Sequence, residues 1–543
     1  MGKCWSGLFG EETDPEIEEQ SNHRKVTADN NDGRLKPNES RSASERSTTP
    51  VSELGKNLMR SRHGQVDVFS IYTSEKMLGE GSMGLIRKVK KKSNGQYYAL
   101  KTIQLSRISP AFVAELKNEI DLLRSLDHPN IIRALEVFES KRRINLIIEL
   151  CGGGDLYTRH PYTEREATRI VLQITSAIAY LHDNGIVHRD LKFENVMFAT
   201  KDKNSLVKLI DFGLSSKYRP GHALKGSVGT LYSMAPEVIQ GNSDEASDNW
   251  SNGVMAFMLL SSQMPFFGKD ERTVIMKIES CSYGFRGPRW KNVSDEAKDF
   301  VRKLLVLERS ERYTAKKALA HPWLQHFSEE QGKAELPTPS SSSRSENRKK
   351  LDCDSSRGAM TEVVESMKKF GTYGKLKKAA LMVVAHQCNC EQLSALIDAF
   401  GRFDKAKNGQ ISLSELKDAL KETENPLTDT EIDQLFHDLD VDETGLIHYT
   451  EFIAATVEAM GNIEIEKLEE AFDRLDADDS GFITVENLKE ILGEDYDDTT
   501  INQMIQEGDF KQNHKIDFEE FKKLMQEGAS PELLKIENMK KEL

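Results

Sequence analysis

His188-Arg189-Asp190-Leu191-Lys192-Phe193-Glu194-Asn195, followed by Asp211-Phe212-Gly213, is the stretch on which the reading of this 543-residue chain turns. A carboxylate at Asp190 can accept the proton of a hydroxyl nucleophile. Asn195 and Asp211 can hold the magnesium ions that neutralise a triphosphate, and Lys192 can stabilise its γ-phosphate. A lone loop aspartate more often caps a helix, but His188, Arg189, Lys192 and Asn195 around Asp190 argue against that reading.

Upstream, Gly79-Glu80-Gly81-Ser82-Met83-Gly84 follows a β-like run at 71–78. Glycines there let backbone N–H groups approach phosphates closely. A lone GxGxxG is weak evidence, because surface turns mimic it. Here Ile86 stands where a branched side chain would cover adenine. Ala99-Leu100-Lys101 fits a strand that presents lysine to the α/β-phosphates, and Glu119 on the following helix is its natural partner. A strand-edge lysine and a solvated glutamate are the bland alternatives, and the order and spacing disfavour them jointly. Leu78, Gly79, Gly81, Gly84, Ile86, Ala99 and Lys101 are therefore the candidate nucleotide-binding positions. Downstream, Glu237 of Ala235-Pro236-Glu237 needs a buried cation, for which Arg312 is the candidate. Asp248 is placed to orient the backbone around Asp190.

Length favours several domains. Residues 391–543 carry 39 Asp+Glu against 15 Lys+Arg, whereas the first 390 carry 49 against 59. Residues 11–65 are polar and apolar-poor, and the segment 1–71 is expected to be disordered. Strand-like runs dominate 72–159, with one helix at 110–126, and helical patterns dominate 163–324. A polar linker is expected at 328–358 and a basic amphipathic helix at 360–386, so that 325–386 forms a linker and junction. From 387 to 543 a helix–acidic loop–helix unit repeats four times. The fold class is thus multidomain, an α+β bilobal unit followed by an all-α unit. Six scattered cysteines suggest reduced thiols. No run of about 18 apolar residues is present, and no nucleic-acid partner is indicated.

The acidic loops invite calcium, which wants oxygen ligands at positions 1, 3, 5, 7, 9 and 12 and glycine at 6. Loop 440–451 is the best formed, with Asp440, Asp442, Thr444, Gly445 and Glu451. Loop 404–415 offers Asp404, Asn408, Ser412 and Glu415, but Ala406 removes one ligand. Loop 476–487 offers Asp476, Asp478, Ser480 and Thr484, yet ends in Asn487, which cannot supply a bidentate carboxylate. Loop 509–520 ranks last, since Lys511 puts a cation at position 3 and His514 replaces the glycine. Ile411, Ile447, Ile483 and Ile516 share position 8, which is expected to join the loops in pairs by short β-bridges. A single acidic loop can be a solvated turn; four in tandem are not easily read so.

At these residues the chain resembles the protein kinase family over about 72–324. Leu126-Asp127-His128-Pro129-Asn130-Ile131-Ile132 and Ala318-Leu319-Ala320-His321-Pro322-Trp323-Leu324 resemble its calcium/calmodulin-regulated branch. The resemblance implies ATP in a cleft between two lobes, a hinge at Glu149–Cys151 contacting the nucleotide, and Ile148 guarding the back pocket. Lys192 is the form seen in serine/threonine kinases. Phe193, Leu231 and Ser233 depart from the usual residues, and the stretch between Gly154 and Glu164 is short. These departures bear on the substrate pocket rather than on activity.

Kinase, basic helix and four EF-hands in this order resemble the calcium-dependent protein kinases of plants and protists, over about 72–526. This implies a helix at 360–386 that blocks or misorients the kinase until calcium-loaded EF-hands engage it. A basic amphipathic helix beside an acidic sensor fits that independently; a plain packing helix is the alternative. Protein substrates with Ser or Thr near basic residues are also implied. Ser227 and Thr230 are candidate phosphosites, although a structural role suits the Thr230 hydroxyl better. Met1-Gly2-Lys3-Cys4-Trp5-Ser6 fits N-myristoylation at Gly2 with palmitoylation at Cys4, hence a cytoplasmic protein with a membrane-attached pool. Two rivals stay open, a calcium-responsive pseudokinase scaffold and a kinase whose EF-hands do not switch.

Overall fold

The structure is a computed structural model. It describes residues 53–63, 66–81, 84–105, 110–219, 224–226, 228–333, 356–421, 427–461, 463–493 and 496–527. The first lobe is a six-stranded sheet. Strands β2 (Tyr72–Gly81), β3 (Gly84–Lys91), β4 (Tyr97–Gln104), β5 (Ala134–Glu139) and β6 (Arg143–Glu149) are antiparallel neighbours in the order β5-β6-β4-β3-β2. A further strand, β1 (Arg60–His63), lies parallel to β5 at the edge. Before it stands a short helix, α1 (Glu53–Asn57), and after it α2 (Val68–Ile71). Ile144, Leu146 and Ile147 are buried in the middle of β6, and Asn145 among them is buried with its amide oxygen accepting the Thr102 hydroxyl at 2.9 Å. Helix α3 (Pro110–Arg124) packs behind the sheet through Leu116, Ile120 and Leu123.

The second lobe is helical. Helix α4 (Glu164–Asp183) opens with a capping box, in which Thr163 and Glu166 satisfy each other's backbone N–H groups. Ala167, Ile170, Val171, Ile174, Ala177, Ile178 and Leu181 recur at helical spacing and are buried. The Glu245–Ser261 helix is buried on nearly every side from Ser247 onward, so it forms the middle of this lobe. One continuous apolar core joins both lobes.

A second core belongs to the EF-hand region and includes the junction. Val363, Val364, Met367 and Phe370 of the Ser356–Gly371 helix are buried in it. So are Leu376, Ala380, Leu381 and Val384 of the Lys375–Gln387 helix. The four loops sit between helices Cys390–Phe403, Leu413–Lys421, Asp429–Leu439, Tyr449–Thr456, Ile465–Leu475, Val485–Leu492, Asp498–Gly508 and Phe518–Glu527. Ile411 pairs with Ile447, and Ile483 exchanges two backbone hydrogen bonds with Ile516, so position 8 joins the loops in pairs.

Three expectations change. Residues 53–63 and 68–71 are ordered, because Leu54 and Leu58 find burial in the EF-hand core and Met59 in the kinase core. Window composition missed apolar residues that only distant elements cover. Residues 1–52, with Gly2 and Cys4, lie outside the described residues. The expected linker begins late, since a helix runs over Pro322–Lys333. The junction is two helices, not one: Thr372 and Tyr373 close the first by bonding back to Lys369 and Phe370, and Gly374 starts the second.

Candidate functional site

The cleft groups come from both lobes. Lys101 on β4 and Glu119 on α3 form a buried ion pair at 2.8 Å, and Asp211 Oδ1 lies 3.8 Å from the same ammonium. Burial works against the charge on Lys101, but Glu119 and Asp211 outweigh it and raise its pKa. Strands β2 and β3 meet at the pair Gly81–Gly84, and Ser82 and Met83 at the tip lie outside the described residues. Gly84 lies against β4, where any Cβ would run into the Thr102 carbonyl oxygen. Ile86 stands opposite Lys101, and Ala99 is buried one register step from Leu100. Leu78 is exposed on β2.

Asp190 is held by three neighbours. Its Oδ1 accepts the Thr230 hydroxyl at 2.8 Å, and its Oδ2 lies 2.7 Å from Lys192 Nζ and 3.0 Å from Asn195 Nδ2. Lys192 also donates to Thr230 Oγ1 at 2.9 Å, which gives that hydroxyl its structural role. Asn195 Nδ2 donates again to the Asp190 carbonyl, so its amide oxygen is the atom left for a cation. Asp211 and Arg189 both adopt left-handed backbone, φ 64° and 70°. Asp248 secures the turn by accepting the N–H groups of His188 and Arg189 at 2.8 and 2.9 Å. Glu237 meets Arg312 at 2.6 Å, burying both. Phe193, the unusual residue, is buried against the Tyr157 ring. Ser227 lies outside the described residues.

The hinge holds a network the sequence reading missed. The Glu149 side chain is engaged by two cations. It pairs with Lys208 at 2.9 Å, and Arg133 lies 3.8 Å away. Burial opposes the carboxylate, yet Lys208 and Arg133 hold its pKa down at about 2. Cys151 is half-buried, and burial raises its thiol pKa. The same Arg133 donates to the carbonyls of Ala385 (3.2 Å) and Cys388 (2.5 Å), so the junction ends against the hinge. Glu149 ends β6, Arg133 just precedes β5, and Lys208 sits on the strand Val207–Leu209, whose Leu209 bonds the backbone of Asn130 and Ile132; no local pattern announces their meeting.

Among the described residues, one acidic cluster could hold a metal ion: Asp440, Asp442 and Glu451. Burial and the neighbouring Asp442 push the Glu451 carboxyl far above its usual range, so a cation suits this pocket. Glu451 Oε1 accepts from the N–H groups of Val441 and Asp442, and Thr444 N–H is bound by Asp440. In loop 404–415, Asp404 accepts the N–H groups of Asn408 and Gly409. Glu415 is fixed by Ala406 N–H and Ser412, without a position-3 acid. In loop 476–487, Asp476 accepts from Ser480 N–H, and Asn487 donates to Asp478 and accepts from Thr484. In loop 509–520, Lys511 pairs with Asp517, its ammonium 4.0 Å from Glu520, and His514 takes φ 61° where the other loops have glycine.

The EF-hand region grips the junction by its polar groups too. Glu507 accepts the Lys375 and Leu376 N–H groups at 2.9 Å, capping the second helix where its dipole favours an anion. Lys377 donates to Met525 O and Lys378 to Asp438 O. The first EF-hand pair also docks on the kinase. Asp127 accepts Thr450 N–H at 2.8 Å and its hydroxyl at 2.7 Å, and the His128 ring lies on Gly409, leaving no room for a Cβ. Both residues stand in Leu126–Ile132, a stretch that the sequence marked for its resemblance rather than for this contact.

Comparison with known proteins agrees with this anatomy. The protein kinase domain model matches residues 72–324 and the EF-hand domain pair matches 393–457 and 465–526. Calcium-dependent protein kinase 7 of Arabidopsis thaliana is 32% identical, over 85% of this chain and 84% of its own length. Calcium-dependent protein kinase 5 of Plasmodium falciparum is 32% identical over 82% and 76%. Calcium-dependent protein kinase 4 of Plasmodium berghei is 31% identical over 89% and 93%. The chain belongs to the calcium-dependent protein kinase family and is a calcium-activated serine/threonine protein kinase.

Proposed function

We propose that this chain moves the γ-phosphoryl group of ATP to protein Ser or Thr hydroxyls with Asp190 as the base, and that the arrangement described is the released one. The observation that carries this is the closed Lys101–Glu119 pair at 2.8 Å while both junction helices are packed in the EF-hand core. Lys101 takes the α/β-phosphates, and Lys192 and the Gly79–Gly84 turn take the rest of the triphosphate. Asn195 and Asp211 would hold magnesium, which supplies positive charge against the phosphate oxygens when bound. Asp190 accepts the hydroxyl proton as the bond to phosphorus forms, and Thr230 and Lys192 keep its carboxylate aimed. Backbone at Glu149–Cys151 is the proposed adenine contact, since the Glu149 side chain is spent on Lys208.

Calcium at loop 440–451 first, then at 404–415 and 476–487, would hold the helices that grip the junction. Without calcium the junction helices leave that core and obstruct or misorient the kinase. Phosphate transfer to a basic serine peptide tests the whole reading, with calcium, with chelator, and with Asp190→Ala. Activity confined to the calcium arm and lost in the variant is expected; equal activity in both arms would sink the switch. Basic residues near the target hydroxyl are proposed from the family resemblance, and a positional peptide library checks them. Gly2 and Cys4 are proposed acylation sites of a cytoplasmic protein with a membrane pool; Gly2→Ala should release that pool to the soluble fraction.

A further inference from the structure

Residues 53–63 stand outside the kinase match and outside both EF-hand matches, yet they touch both units. On the EF-hand side, Leu54 and Leu58 are buried in that core. Arg474 donates to the carbonyls of Asn57, the last residue of α1, and Leu58, the one after it. Arg60 bonds Asp473 Oδ2 at 2.5 Å and Asp479 Oδ1 at 2.6 Å, and also reaches the Asp473 and Asp476 carbonyls. Arg62 adds both aspartates, at 3.2 and 3.4 Å. On the kinase side, β1 pairs with β5, Met59 enters the kinase core, and Ser61 bonds Arg124. Arg124 ends α3, the helix that carries Glu119.

The geometry points to a tether: residues 53–63 are a ligand of the second EF-hand pair, and by docking there they position α3 for the Lys101–Glu119 pair. Arg60 is almost wholly enclosed, and a buried guanidinium needs its carboxylates. Those aspartates lie at both ends of the helix-to-loop junction that opens calcium loop 476–487. A four-residue edge strand holds little by itself, so the tether stays in place only while this EF-hand pair is docked. Arg60 and Arg62 are positioning residues; they touch no reacting group.

The inference rests on the calcium-switch reading and is tested in the full chain. Arg60→Glu/Arg62→Glu is expected to lower calcium-stimulated kcat at least about tenfold, with calcium stoichiometry and calcium-free activity as in the parent. Adding Asp473→Arg/Asp479→Arg is expected to restore most of it. Parental kcat in the double variant would overturn the proposal, as would a loss that the compensating pair leaves untouched. Hydrogen exchange at residues 60–63 of the parent gives an independent check. Protection in calcium and its loss in chelator are expected, and equal protection in both would overturn the conditional tether. A parent chain that calcium fails to stimulate would instead overturn the switch reading.

Discussion

A lysine ammonium hidden from water stays charged only beside carboxylates, and Lys101 has two. Glu119→Gln removes the nearer one, and both kcat and the melting temperature are expected to fall, measured by initial rates and thermal melts side by side. Asp190→Asn keeps the shape of its network but not the base, and kcat should drop by about 10²–10⁴. Glu149 sets a pH dependence. Its folded pKa of about 2 lies below its ordinary value, so its stabilisation is present above the ordinary carboxylate range and is lost as pH falls toward 2. Glu149→Gln should cost about 3–5 kcal/mol near neutral pH by stranding Lys208 and Arg133, and should flatten the acid limb of a stability–pH curve. The cleft residues were legible because phosphoryl transfer fixes their order and spacing. The cations around Glu149 were not, because three separate stretches of chain bring them together.

At the level of elements, the four loops divide by what occupies the place of a cation. Loop 440–451 crowds three carboxylates; loop 509–520 already contains an ammonium of its own. Glu451→Gln is therefore expected to remove the tightest site in a calorimetric calcium titration of the full chain. Lys511→Asp with His514→Gly should add a site, since it restores a ligand and a residue that takes positive φ freely. Loop quality was legible position by position. The break in the junction is marked by Gly371 and Gly374, a signal that the amphipathic pattern on either side masked. The cap of the second helix was not legible, because Glu507, more than a hundred positions away, supplies it.

Over the whole molecule, the first EF-hand pair meets the kinase at Asp127 and His128. Asp127→Ala should weaken that contact by removing the acceptor of the Thr450 N–H and hydroxyl, on the kinase side and outside every calcium loop. Calcium-stimulated activity is expected to fall several-fold while calcium still binds, which rate and titration measurements on one preparation would separate. Domain order and fold class were plain in the sequence, because composition and periodicity change at each boundary. The docking of one unit on the other was not, because its contacts are single side chains meeting across hundreds of residues. The edge position of β1 has a practical consequence for anyone who truncates the chain. A kinase fragment cut at residue 72 would uncover the backbone of β5, leaving its unpaired N–H and C=O groups free to recruit a strand from another molecule. Such a fragment should self-associate and precipitate as its concentration rises, whereas a chain that keeps residues 53–63 together with the EF-hand region that holds them should stay dispersed.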